Sequence, residues 1–247
     1  MKIQSAIHLL FPPQCLCCGA ETSSDFALCG DCWRDTAFIS GLKCDACGIP
    51  LPGDLTEEAV LCDICIMAPK PWVKGRAAVL YEGTARRMIL ALKHGDRLDL
   101  APPLATWMAG AGRDLQSDDM VVAPVPLHWR RLLFRRFNQA AVLADHVAQN
   151  YKVPHCPDLL HRTKATKAQH HMRASERREN QKDAFTINPR HRLKMLDRAV
   201  LLVDDVMTSG ATLAACAETC LASGAREVNI LVLARVATSD QLAYIAG

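Results

Sequence analysis

The chain has 247 residues, 50% of them hydrophobic and 22% charged, with a formal net charge of +3. These values lie near globular averages and exclude wholesale disorder, collagen and coiled coil, and no apolar run approaches the ~18–20 residues of a membrane span. The length allows a domain of about 170–180 residues plus a small module, and either can bury a core.

The chain opens Met1-Lys2-Ile3 and reaches Leu9-Leu10-Phe11-Pro12 with a short apolar stretch but no small-residue cleavage site. That pattern predicts a short helix rather than a signal peptide, and a cytoplasmic protein. Cysteines then dominate: nine of the twelve fall within residues 15–65, and Cys156, Cys216 and Cys220 stand apart as ordinary buried thiols. So small a segment rarely holds together on its apolar core alone. Cys15-x-x-Cys18 with Cys29-x-x-Cys32, then Cys44-x-x-Cys47 with Cys62-x-x-Cys65, form an internal repeat of two quartets. Each Cys-x-x-Cys brings two thiolates to one ion, and two such knuckles complete a tetrahedral S₄ site. Gly19 and Gly48 follow the second cysteine of a knuckle, where positive φ eases the turn. Two structural Zn²⁺ ions, in closed sites without room for catalytic water, are the expectation. A disulfide framework needs an oxidising compartment, and an iron–sulfur cluster suits these paired spacings less well. The spacing leaves sequential and interleaved pairing open, and Cys17 is a spectator.

From residue 75 helices and strands alternate. Helices are predicted over Thr84–His94 (with Gly95 as C-terminal cap), Leu100–Arg113, Asn138–Tyr151 and Ala211–Ser223, the last closed by Gly224. Continuous apolar strands are predicted over Met120–Val125, Ala199–Val203 and Val228–Val236. Such strands joined by helices indicate a parallel sheet covered on both faces. The expected architecture is therefore α/β: a small zinc-binding module over 1–72 and a parallel-sheet domain over 73–247. Charge divides along the same lines. Residues 1–72 carry four basic against nine acidic side chains, formally −5, whereas 161–198 carries eleven against four, formally +7.

The most specific chemistry lies at Val200–Thr212, where four apolar residues run into Asp204 and Asp205 and then Val206-Met207-Thr208-Ser209-Gly210-Ala211-Thr212 opens a helix. A helix N-terminus offers unpaired N–H groups and the positive end of its dipole to a phosphate. Thr208, Ser209 and Thr212 add hydroxyl donors, and Gly210 lets the backbone approach. Adjacent carboxylates can accept hydrogen bonds from sugar hydroxyls, directly or around a divalent ion. A plain Ser/Thr-rich helix cap would not need two carboxylates at the end of a strand.

All thirteen positions of this stretch resemble the signature of the type I phosphoribosyltransferases. The resemblance implies that Asp204 and Asp205 hold the ribose hydroxyls of phosphoribosyl pyrophosphate (PRPP), accompanied by Mg²⁺. Met207, Thr208, Ser209, Gly210, Ala211 and Thr212 would hold its 5′-phosphate. Leu127, His128, Arg130 and Arg131, following a strand, look like the pyrophosphate loop. Some purine-using relatives place an Asp where Thr208 stands, which argues against purine salvage.

With the double quartet, Arg135-Arg136-Phe137-Asn138-Gln139, and Leu160-x-Arg162 through Ala184-Phe185, the chain resembles the ComF family over residues 5–236. That family joins a double zinc ribbon to a phosphoribosyltransferase-like domain and is associated with DNA uptake in natural transformation. Arg136 stands where the family usually has Gly. The resemblance implies a PRPP-binding protein that contacts single-stranded DNA beside a helicase-like competence protein. A metabolic phosphoribosyltransferase with an unidentified acceptor and a non-catalytic PRPP-sensing adaptor are the alternatives, and no catalytic residue is assigned. In the +7 segment, Arg162, Lys164, Lys167, Arg173 and Arg177 are candidates for a flexible loop over pyrophosphate or for DNA phosphate contacts. His170 and His171 are expected to be solvated loop residues, and Glu176–Glu179 an exposed charged helix.

Overall fold

The computed structural model describes residues 11–94, 97–127, 137–163 and 184–237. Among them, four parallel strands form one sheet in the order β1-β6-β5-β2, with β1 Gly75–Leu80, β2 Val121–Pro124, β5 Ala199–Met207 and β6 Glu227–Arg235. A second, antiparallel pair joins β3 Leu160–Arg162 to β4 Phe185–Ile187. Helices α1 Gly30–Arg34 and α2 Asp63–Met67 lie in the cysteine-rich segment. Then follow α3 Gly83–His94, α4 Ala101–Ala111, α5 Gln139–Tyr151, the short α6 Arg192–Met195, and α7 Ala211–Ala222.

The parallel sheet is buried on both faces because its strands are apolar at successive positions. Alternation along β5 sends Leu201 and Val203 to one side, into a cluster with Met88 and Leu92 of α3, Met108 of α4 and Leu143 of α5. Val200 and Leu202 enter the opposite cluster, with Leu213 and Cys216 of α7. That second cluster also takes in Cys44, Cys47, Cys62 and Cys65, so the second cysteine unit is continuous with the core of the sheet. Cys156, Cys216 and Cys220 are all buried.

Within the described residues the predicted helices and strands all occur, with ends shifted by one or two residues except at β5. Asn138 explains the start of α5: its side chain accepts from Ala140 N at 3.1 Å and donates to Val125 O at 3.1 Å. Gly95 lies outside the described residues, as do residues 1–10. Strand β5 runs four residues beyond its predicted end, through both carboxylates, because Val206 and Met207 pair with Ala234 and Arg235 of β6. Strand β1 had no counterpart in the sequence reading. It contains Arg76, buried and bonded to Asp45 at 2.6 Å and to Asp114 at 2.6 Å, so a guanidinium sits where the apolar pattern would demand an aliphatic side chain. No described helix is long and apolar enough to cross a membrane.

Candidate functional site

The extension of β5 puts Asp204 and Asp205 at the carboxyl end of the sheet, the position where open α/β folds bind ligands. Lys93, in the last turn of α3, reaches Asp205 Oδ1 at 3.0 Å, and both side chains are largely buried (16% and 14% exposed). Asp204 is pushed up to about 7, first by burial and then by the Asp205 charge. The Asp205 N–H, 2.9 Å from Asp204 Oδ1, and the charges of Lys93 and Arg162 oppose that rise. One carboxylate is therefore matched by a lysine, and the other is costly to ionise. Ligand hydroxyls or a divalent cation would supply the missing stabilisation.

Beyond Met207 the chain turns through Thr208 and Ser209 to Gly210, whose φ of +77° only glycine adopts without strain, and α7 begins at Ala211. A glycine at the cap leaves no side chain there, and Ser209 Oγ accepts from Ala211 N only at 3.4 Å. The positive end of the α7 dipole at this turn favours an anion. A cleft of about 60 Å³ lies between Asp204 and this turn, lined also by Thr208, Gly210 and Thr212.

Two residues that the sequence reading did not single out hold the turn from behind. Arg235 Nη1 donates to the carbonyls of Met207 (3.2 Å), Thr208 (2.7 Å) and Val236. Trp72 donates from Nε1 to Ala46 O at 2.5 Å, and a Cβ on Gly210 would stand 3.2 Å from its ring. The turn therefore leans on the second cysteine unit. A cavity of about 490 Å³ opens on that side, between Ile64, Cys65 and Pro69 of the cysteine unit and Ser209, Ala211 and Ala214. Arg235, a charge ending an apolar strand, is the one signal that could have been read from sequence. Lys93 and Trp72 left none.

Of the residues expected to form the pyrophosphate loop, Leu127 alone is described, partly buried after β2, whereas His128, Arg130 and Arg131 lie outside the described residues, as does Arg136. Arg162 lies in strand β3 and not in a loop. It pairs with Phe185, and its guanidinium sits 5.4 Å from the Phe185 ring. Its charge also acts on Asp204. Lys164, Lys167, Arg173 and Arg177 lie outside the described residues, with His170, His171 and the stretch 176–179.

The cysteines gather as two sequential quartets, Cys15–Cys18–Cys29–Cys32 and Cys44–Cys47–Cys62–Cys65, which removes the interleaved alternative. Both repeats fold alike. Cys15 N donates to Ala20 O and Gly19 N to Cys15 O, and Cys44 N donates to Ile49 O and Gly48 N to Cys44 O. Gly19 and Gly48 have φ of +77° and +70°. The second pair of each quartet starts a short helix, with Cys29 and Cys62 as N-caps. Sulfurs of Cys18 and Cys29 lie 3.6 Å apart and those of Cys47 and Cys62 3.7 Å. A tetrahedron with Zn–S bonds of about 2.3 Å has edges of about 3.8 Å, so the sulfur sets fit zinc. The charges agree. Hydrogen bonds from Cys47 and Cys65 hold Cys44 far below the usual thiol range, while contact with Cys44 drives Cys47 up to about 11 and raises Cys65 further. Thiolates this close need a cation among them.

Residues 6–66 match the double zinc ribbon domain, and residues 138–243 match the phosphoribosyl transferase domain. The DNA utilization protein YhgH of Escherichia coli K12 is 30% identical over 234 residues, covering 92% of this chain and 99% of the relative. Competence protein F of Haemophilus influenzae is 28% identical over 213 residues, covering 84% and 90%. Among solved structures, a Thermus thermophilus protein aligns over 58% of this chain and 88% of its own at 17% identity, with a TM-score of 0.35.

Proposed function

The chain belongs to the ComF family, and from that membership we propose that it is a PRPP-binding protein that acts in DNA uptake and contacts single-stranded DNA. In this reading residues 1–72 form the double zinc ribbon and 73–247 the PRPP-binding domain. The observation that carries it is Asp204 facing the start of α7 across one small cleft, with Asp205 next to it near the end of β5. Asp204 and Asp205 accept from the ribose hydroxyls and would hold the accompanying Mg²⁺, which would offset phosphate charge, and residues 207–212 hold the 5′-phosphate through N–H and hydroxyl donors. Lys93 holds the Asp205 carboxylate in place until the ligand arrives. His128, Arg130 and Arg131 neutralise the diphosphate. DNA contact falls to the basic 161–198 segment, since the ribbons are acidic. Anisotropy of a labelled oligonucleotide tests this surface. Charge reversal at Lys164, Lys167, Arg173 and Arg177 is expected to weaken binding at least tenfold and flatten its salt dependence, and unchanged affinity and slope would remove the assignment.

A second reading, phosphoribosyl transfer to an acceptor, is favoured by the 490 Å³ cavity that shares the phosphate turn as a wall. Pyrophosphate release across a panel of acceptors separates it from PRPP binding without turnover.

A further inference from the structure

Three ligand-type side chains that neither the quartets nor the cleft uses meet at the root of the β3–β4 pair. Cys156 and Asp158 precede β3, and His191 follows β4 as the N-cap of α6. One ligand atom from each residue lies within 4.8 Å of the other two. His191 Nε2 stands 3.0 Å from the Asp158 carboxylate, which also accepts from Asn188 Nδ2 at 3.2 Å. Cys156 is buried, and its backbone N–H donates to Val122 O of β2 at 2.8 Å. His191 Nδ1 is buried and makes no hydrogen bond. A simple His–Asp pair leaves that nitrogen without a partner, at a penalty of about 1–3 kcal/mol.

We propose that Cys156, Asp158 and His191 form a third metal site, which takes a single zinc-type divalent ion. Thiolate and imidazole select against Mg²⁺ and Ca²⁺ and suit Zn²⁺ or Co²⁺, and one carboxylate completes a set common for such ions. Three protein ligands leave the fourth position to water, unlike the closed quartets. Asn188 orients the carboxylate as an outer-shell partner. Binding releases the Cys156 proton, so occupancy rises with pH. The ion would tie together the two chain segments that enter and leave the β3–β4 arm. Between those strands runs the basic stretch 164–183, and Cys156 anchors the arm to the edge strand β2. The site would thus fix the base of the arm that carries the proposed DNA-contacting charges.

Metal counting on the full chain tests this. Protein equilibrated with excess Zn²⁺ and desalted should retain three zinc ions per chain, and Cys156→Ala, His191→Gln and Asp158→Asn should each retain two. Asp158→Asn and His191→Gln preserve shape, so a retained pair of quartet ions together with an intact melting transition shows that they still fold. Cobalt added to wild type that holds zinc in the two quartets alone should give a thiolate charge-transfer band that Cys156→Ala lacks. Two zinc ions in the wild type, or three in both the wild type and the shape-preserving variants, would overturn the assignment.

Discussion

The two cysteine quartets share a motif and a local hydrogen-bond pattern, yet they do different structural work. In the first, Cys18 is exposed, and Leu16 is its main entry into the core. In the second, all four cysteines are at most 8% exposed and belong to the cluster under the sheet. Gly48 packs so closely on β1 that a Cβ would come within 2.8 Å of Ala77 N, and Trp72 links the knuckle carbonyl of Ala46 to the turn at Gly210. One repeat is a peripheral staple and the other is part of the wall behind the candidate site. A shared pair of Cys-x-x-Cys knuckles therefore says what a unit binds and nothing about what the unit supports.

The largest expected effect comes from breaking one ligand in each quartet. Structural zinc contributes about 10 kcal/mol or more to the folding of small zinc modules, comparable with the whole stability of a domain. Cys65→Ser should therefore remove one zinc and abolish the cooperative melt of the sheet. Cys18→Ser should lose zinc while shifting that melt by only a few degrees. Equal losses, measured by zinc content and thermal denaturation together, would break the contrast.

Next in size is the link between the second ribbon and the sheet. Arg76 is 5% exposed and binds Asp45 of the ribbon and Asp114 beyond α4. Arg76→Ala should cost roughly 2–4 kcal/mol, below the full penalty of a broken buried pair because Asp114 is partly solvated. Burial acts to raise Asp114, but its bonds to Arg76 outweigh this and hold it below the usual carboxylate range. Its contribution is present above pH ~4 and is lost as acid titrates the folded carboxylate, so the variant and the wild type should converge in acid.

The smallest effect has the opposite sign. Asp204 holds its proton to about pH 7 in the folded chain, whereas an unfolded aspartate releases it near about 4. Between these values the folded state binds more protons, so stability falls as pH rises and levels off above 7. Asp204→Asn should raise stability by about 1–3 kcal/mol at pH 8, with no difference below pH 4, in denaturant melts at the two pH values. A gain of this kind at the expense of binding is expected where a site stores unfavourable charge.

Most of the sheet was legible because its strands are unbroken apolar runs and its helices keep a clear 3.6-residue period. The quartets were legible because metal ligation fixes spacing within a few residues. What escaped did so for physical reasons. Strand β1 hides a buried arginine whose partners lie 31 and 38 residues away. Strand β5 continues through two carboxylates because β6 offers it a ladder, and a propensity reading stops at the first charge. Lys93 meets Asp205 across more than a hundred residues of sequence, so only the tertiary fold brings them together. Trp72 reads as a lone aromatic until the turn at Gly210 is seen against its ring.

The most direct test of the account is calorimetric titration of PRPP with Mg²⁺ into the wild type, Asp204→Ala/Asp205→Ala and Cys18→Ser. Saturable binding by the wild type and by Cys18→Ser, with at least a hundredfold loss in the double carboxylate variant, is the predicted result. Absence of binding by the wild type, or unchanged binding by the carboxylate variant, would contradict it.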